Sequence, residues 1–422
     1  MDIRILPSEV HETEIEAPAS KSFVHRVLIA AALTDGTSSI AHVTMNRDIE
    51  ATASVLRHLG ASIQYEDGTL HVQGIHDFSG YDGQTLDCDE SGSTLRFLIP
   101  ILSLTGRQAV FKGHGRLMQR PQSVYEKVFS EQHLQFVHTE DEIIINGKLQ
   151  AGRYQIDGGV SSQFISGLLF ALPLLEKDSV IEVTGDFASR SYVNLTVSIL
   201  IDAGIHIDFC DRIIRIPGSQ KYACRSCQAQ ADDSSSAFFA CLAAMHAVPL
   251  SIVGMNRDSL QADHAIVSIL KKMGAEVNEE KNRCTFHACS LHATEIDLSD
   301  CPDLGPVLFA LACVIPGKTV FHHTERLRIK ESDRVECMRM ELQKMGCDMQ
   351  VGNDTVVIEG VHSLHGAVLD GHNDHRIVMA LSVLASMCET PSVICGAEAV
   401  QKSYPNFFRD LNKTGIRTEE IK

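Results

Sequence analysis

Six times along the chain a short polar loop runs straight into a stretch that is apolar almost all round. The first three stretches are 23–33 after Lys21-Ser22, 94–104 after Ser91-Gly92-Ser93, and 164–175 after Ser161-Ser162-Gln163. The next three are 237–245 after Ser234-Ser235-Ser236, 304–314 after Pro302-Asp303, and 376–385 after Asp374-His375. With Lys21, Gly92, Ser162, Ser235, Asp303 and His375 as markers, the steps are 71, 70, 73, 68 and 72 residues. A helix that is apolar on every face belongs in an interior. A second signal keeps the same phase: a shorter amphipathic helix that ends on a glycine and leads into a strand. Its glycines are Gly60, Gly204, Gly274, Gly346 and Gly415, and a glycine there forms the usual left-handed helix cap. The second repeat departs from this, because residues 131–138 contain no glycine.

Two signals in step predict a repeated unit of about 70 residues, because chance similarity would not keep both in phase. Each unit reads as loop, buried helix, strand, amphipathic helix and strands. Residues 212–217 and 355–360 are typical strands, rich in β-branched side chains. Six units predict an α/β protein of two three-fold domains, each with three buried helices inside sheets. Several helix N-termini facing one cleft would form an anion site, because their N–H groups are unsatisfied and carry partial positive charge.

Composition narrows the function. The 422 residues carry 37 Lys and Arg against 54 Asp and Glu, a net charge of −17. That balance argues against a nucleic-acid partner. No apolar run is long enough to span a bilayer, and the N-terminus lacks the apolar core of a signal peptide. A cytoplasmic protein with no membrane partner is expected. The 13 cysteines are scattered, which suits a reduced compartment better than a disulfide framework. Cys224 and Cys227 have CxxC spacing, and Cys284, His287, Cys289 and His292 follow with spacing that matches no common zinc pattern. No metal site is expected.

Against the acidic background the basic residues collect in the repeat loops. Lys21 and Arg26 flank the first and Arg96 follows the second. Arg116 and Arg120 lie close together, and Arg326, Arg328, Lys330 and Arg334 crowd one segment. Arg376 follows Asp374-His375, and Lys402 comes later. A lone surface cation is usually only solvated, but equivalent places in a repeat let these converge on a carboxylate or phosphate. Ser161, Ser162 and Gln163 offer hydroxyls and an amide at a helix start. Asp303 and Glu331 are candidate proton-transfer groups. His375 reads as a core or an orienting histidine rather than a base, and its NDHR loop favours a role at the site.

Nine short motifs carry a family resemblance: PASKSFVHR, ESGSTLR, GRLMQRP, SSQFISGLL, SRSY, CPDLG, RIKESDR, NDHR and QKSYP. Each is weak alone, but together and in this order they resemble the 5-enolpyruvylshikimate-3-phosphate synthases from about Ala17 to Phe408. The resemblance implies the enolpyruvyl transferase fold, a two-domain inverse α/β barrel of six βαβαββ repeats, three per domain. It implies one discontinuous domain of residues 1–16 and 229–422, a second of 17–228, and an active site in the cleft between them. The implied reaction passes the enolpyruvyl group of phosphoenolpyruvate to the 5-hydroxyl of shikimate 3-phosphate by addition and elimination, in a monomer with no cofactor.

The resemblance also implies roles. Shikimate 3-phosphate would meet Lys21, Ser22, Arg26, Ser161, Ser162, Gln163, Ser189, Tyr192, Asp303 and Lys330. Phosphoenolpyruvate would meet Lys21, Gly92, Arg120, Gln163, Arg334, Arg376 and Lys402. Lys21, Asp303, Lys330, Glu331 and His375 would carry the chemistry. The chain departs from common family residues at Ala19, Val24, His25, Glu90, Ser91 and Phe97. One alternative is a UDP-N-acetylglucosamine enolpyruvyl transferase, which would place a cysteine near Gly113–Pro121, where this chain has none. The other is a non-catalytic repeat scaffold, which would have little use for Lys21, Asp303 and Glu331 among matched anion loops.

Overall fold

The computed structural model describes residues 1–81, 83–287 and 290–421. Each repeat is a strand, the buried inner helix, a strand, an outer helix and two more strands. In the second repeat these are Thr85–Asp87, Gly92–Ser103, Ala109–Lys112, Ser123–Glu131, Gln135–His138 and Glu142–Asn146. The first two strands pair in parallel, and the fourth lies antiparallel between the second and the third. A parallel pair needs a crossover, and the inner helix supplies it. Among the described residues all six four-stranded sheets have this order.

The repeats fall into two compact units, Met1–Pro18 with Ala231–Lys422, and Ala19–Gln230. Each holds three sheets and its own apolar core. Where the chain passes from one unit to the other, repeats one and four have exchanged their first strands. Thr13–Glu16 pairs with Leu250–Val253 of repeat four. Cys227–Gln228 pairs with Thr37–Ala41 of repeat one. The N-terminal strand Asp2–Leu6 completes repeat six, lying between Ser392–Cys395 and Arg417–Ile421.

The inner helices Asp233–His246, Gly305–Ala312 and His375–Ala385 pack on one another within their unit. Every residue of Gly305–Ala312 is buried. In the other unit Gly92–Ser103 packs on Ser162–Ala171, while Lys21–Ala32 packs on the outer helices Arg47–His58 and Arg190–Asp202. Each buried Leu or Phe contributes roughly 2 kcal/mol of transfer free energy, so these helices dominate the cores.

Five inner helices begin with a side-chain cap: Ser20, Ser91, Ser161, Asp232 and Asp374 each accept a hydrogen bond from a backbone N–H two or three residues on. The fifth helix in chain order differs. A short turn, Pro302–Leu304, leads into it with no capping side chain, so Asp303 is left for other partners.

The outer helices end as the glycine pattern predicts. Gly60, Gly204, Gly274, Gly346 and Gly415 all have positive φ, between 82° and 105°. In the second repeat His133 takes that place with φ 56°. The left-handed cap is therefore kept without its glycine, at a conformational cost of about 1 kcal/mol.

Among the described residues no helix is long and apolar enough to cross a membrane. No group of three His, Cys, Asp or Glu side chains among them is disposed to hold a metal. Cys289, one of the residues weighed as a ligand, lies outside the described residues.

Candidate active site

In the Ala19–Gln230 unit the candidate residues sit at or near the N-terminal ends of helices. Lys21 opens its helix and places Nζ 2.8 Å from Asp48 Oδ2. Arg26, one turn on, is almost wholly buried. Its Nε donates to Thr196 Oγ1 at 2.7 Å, and its Nη1 donates to the Ser22 carbonyl at 2.8 Å. Burial pulls this guanidinium down to about 10, with Tyr192 acting in the other direction. It therefore stays charged at neutral pH. Ser189 is buried in a left-handed conformation at the start of Arg190–Asp202, and the Tyr192 carbonyl accepts from Arg26.

Arg96 links the second and third repeats. Its Nη1 donates to Gln163 Oε1 at 2.8 Å, and Gln163 Nε2 donates to Ser93 Oγ at 3.0 Å. The same guanidinium lies 4.7 Å from the Phe164 ring centroid. Ser161 caps its helix and Ser162 is buried in the first turn. Arg120 is 8% exposed, and among the described residues its Nε meets no hydrogen-bond partner. The guanidinium lies against Gly92, where an added Cβ would come 2.6 Å from Arg120 Nη1. A buried cation without a carboxylate is costly.

The other unit gathers its candidates into one network. Arg334 is 1% exposed. Its Nε donates to Asp374 Oδ2 at 2.8 Å, its Nη1 to Asp303 Oδ1 at 2.9 Å, and its Nη2 to Glu331 Oε2 at 2.7 Å. Lys330 Nζ lies 3.3 Å from Asp303 Oδ1, and Arg376 Nη2 lies 2.9 Å from Asp303 Oδ2. Arg376 Nη2 also donates to Ser234 Oγ at 3.0 Å. Lys402 Nζ donates to the Asn373 carbonyl at 2.6 Å. His375 is buried, with Nδ1 3.9 Å from Asp374 Oδ1.

Three cations thus interleave with three carboxylates in a largely buried space. Burial works against the charge on Arg334, and Asp374, Glu331 and Asp303 together outweigh it, so its proton is held more tightly than usual. Burial and Glu331 act to raise the Asp374 carboxyl, but Arg334 and His375 overcome both and hold it below its ordinary range. Lys330 behaves differently. Burial pulls it down to about 8, and the attraction of Asp303 only partly offsets this against Arg326 and Arg334. A lysine near that value exchanges its proton at physiological pH.

The family model for EPSP synthase (3-phosphoshikimate 1-carboxyvinyltransferase) matches residues 7–411. The chain belongs to the EPSP synthase family. It is 41% identical to a 3-phosphoshikimate 1-carboxyvinyltransferase of Clostridium kluyveri, over 99% of this chain and 98% of that one. It is 38% identical to the enzyme of the same name from Clostridioides difficile, over 99% and 98%. It superposes on the EPSP synthase of Acinetobacter baumannii with a TM-score of 0.81 and 25% identity, covering 99% of this chain and 100% of that one. The enolpyruvyl transferase NikO from Streptomyces tendae shares the fold, with a TM-score of 0.81 at 17% identity and coverage of 99% and 98%. EPSP synthase relatives along the whole chain favour this reading over a UDP-sugar transferase, and enzyme relatives favour it over a scaffold.

Within this EPSP synthase fold, several partners of the candidate residues escaped the sequence reading. Asp48 holds Lys21, Thr196 holds Arg26, and Asp374 is one of three carboxylates that hold Arg334. One signal was present. Met-Asn-Arg-Asp occurs at both 45–48 and 255–258, equivalent places in repeats one and four. Asp48 meets Lys21 there, whereas Asp258 lies exposed beside Arg257. The reason is the inner-helix start, which is Lys21 in repeat one and Asp233 in repeat four.

Proposed function

We propose that this chain transfers the enolpyruvyl group of phosphoenolpyruvate to the 5-hydroxyl of shikimate 3-phosphate and releases phosphate. The observation that carries the assignment is the buried Arg334, which holds both Asp303 and Glu331, one through each terminal nitrogen. Those are the two carboxylates the chemistry needs. An incoming carboxylate competes for the same guanidinium edge, and as it takes over, Glu331 and Asp303 are released to handle protons.

The reaction has two stages. The 5-hydroxyl oxygen bonds to C2 of phosphoenolpyruvate while C3 gains a proton, giving a tetrahedral intermediate. Loss of phosphate from C2 and of a proton from C3 then gives the enol ether. Asp303 and Lys330 are assigned to the 5-hydroxyl, and Lys330, held near 8, suits a group that gains and loses a proton during turnover. Glu331 is assigned to C3 as donor and then acceptor. Arg334, Arg376 and Lys402 are assigned to the carboxylate and phosphate of phosphoenolpyruvate, where fixed cations stabilise charge without reorganising. His375 is assigned an orienting role through Asp374, since its ring is buried.

The second unit supplies the other assignments. Lys21, Ser22, Arg26, Ser161, Ser162, Gln163, Ser189 and Tyr192 are assigned to shikimate 3-phosphate. Lys21, Gly92, Arg120 and Gln163 are assigned to phosphoenolpyruvate, and the buried, carboxylate-free Arg120 supports this. Side chains carry every proton and charge in this scheme, so it calls for no metal or organic cofactor. A cytoplasmic monomer is part of the same proposal. Phosphate release from phosphoenolpyruvate, measured with shikimate 3-phosphate and separately with UDP-N-acetylglucosamine, tests it. No release with the first acceptor would overturn it.

A further inference from the structure

Beyond the charged network, residues 371–374 make an unusual turn. His372 and Asn373 are consecutive and both have φ 50°, a left-handed conformation that side chains bearing a Cβ disfavour. The turn nonetheless supplies two contacts of the candidate site. The Asn373 carbonyl receives Lys402 Nζ, and the Asp374 carboxylate receives Arg334 and Ser332. The turn is closed from within by the Asp374 N–H donating to the Gly371 carbonyl at 2.9 Å and the His372 N–H donating to Asp370 Oδ1 at 2.7 Å, and contacts from outside add to these.

Glu341 is placed to do so. It lies on the outer helix Arg334–Lys344, two turns beyond Arg334. It is 1% exposed. Its Oε2 accepts the Asp370 backbone N–H at 3.0 Å, and its Oε1 lies 3.0 Å from His372 Nε2. Lys344 Nζ lies 2.7 Å from Oε2. Hydrogen bonds to Cys337 and then Glu341 push His372 up to about 10, so the ring is an imidazolium at neutral pH. Helix and turn are therefore fastened at two points about 10 Å apart, Arg334 to Asp374 at one end and Glu341 to His372 and Asp370 at the other.

We propose that Glu341 and His372 are positioning residues. They hold the turn in the shape from which Asn373 and Asp374 aim Lys402 and Arg334 at phosphoenolpyruvate. The inference rests on the assignment of those two cations made above. Neither Glu341 nor His372 touches substrate in this scheme.

The test uses the full chain and steady-state phosphate release, with KM measured for each substrate. Glu341→Ala should raise KM for phosphoenolpyruvate on the order of tenfold and leave KM for shikimate 3-phosphate within about twofold. Glu341→Gln keeps one acceptor, which serves Asp370 or the ring but not both, so it should recover part of the loss. His372→Gly removes the ring while suiting the left-handed backbone, so it folds even where Glu341→Ala does not, and it should reproduce the selective shift. Because Glu341→Ala already removes the contact through which His372 acts, the double variant should be no worse than the poorer single variant. An unmoved KM for phosphoenolpyruvate, an equal rise in both KM values, or multiplying effects in the double variant would overturn the proposal. Wild-type turnover is measured first. Its absence would defeat the functional proposal and this one with it, whereas a failed KM shift with an active wild type defeats only this one.

Discussion

Raising the pH above about 8 should switch off Lys330, and the effect should be visible in turnover. Burial is the main force on this ammonium. It brings the group from its ordinary 10.5 down to about 8, against the pull of Asp303. That gap corresponds to roughly 3 kcal/mol against the charged form. About nine-tenths of the free enzyme should carry the charge at pH 7, and about one-tenth at pH 9. The assay is phosphate release from pH 6 to 10 at low substrate, which reports the free enzyme through kcat/KM. A single descending limb centred near 8 is expected. The second ionisation of a phosphate ester falls near 6, so substrate titration does not produce this limb. At saturating substrate the bound anions favour the ammonium, so the limb in kcat should sit higher. Lys330→Arg should lose most of the turnover, and the activity left should show no limb, since a guanidinium does not deprotonate in this range. Arg326→Gln should move it upward, because Arg326 helps to hold the lysine down. A flat profile to pH 10, or the same limb in Lys330→Arg, would refute the assignment.

Four further outcomes are expected. Glu331→Gln should lower kcat by on the order of a hundredfold or more with little change in either KM; full activity would remove Glu331 from the proton transfers. Gly92→Ala places a methyl 2.6 Å from Arg120 Nη1, so KM for phosphoenolpyruvate should rise roughly ten- to a hundredfold, and an unchanged KM would show that Arg120 does not bind it. His133→Gly should stabilise its unit by about 1 kcal/mol by relieving the left-handed histidine, read as a higher urea midpoint. His246 is held down to about 4 by burial, against an ordinary 6.5. The unfolded chain thus takes up the proton first, so stability is full above about 6.5 and falls as pH drops toward about 4. His246→Gln should flatten that decline in acid unfolding curves, and an unaltered slope would contradict it.

Periodicity made much of the fold legible. Helices apolar on every face have one place to go, so the six inner helices and their spacing are plain from the pattern alone. The caps at Ser20, Ser91, Ser161, Asp232 and Asp374 follow from the same local chemistry, and so do the glycine-ended outer helices. The cationic loops were equally visible, because equivalent positions in a repeat are local facts.

Pairing across long separations was not legible. Nothing local says that Thr13–Glu16 pairs with Leu250–Val253 while Cys227–Gln228 pairs with Thr37–Ala41. Two edge strands of similar character satisfy the same backbone hydrogen bonds, and only the closed sheets decide between them. The same holds for charge. From sequence, Glu331 is a carboxylate near Lys330 and Arg334, an ordinary helix-start ion pair. Only the fold brings Asp303 and Asp374 to the same guanidinium and half-buries Lys330 beside them. The sequence by itself determined the repeats, their buried helices and the types of group at each loop. The tertiary structure decided which charges meet and how far water is excluded, because electrostatic coupling depends on distance and burial, and neither is a property of neighbours along a chain.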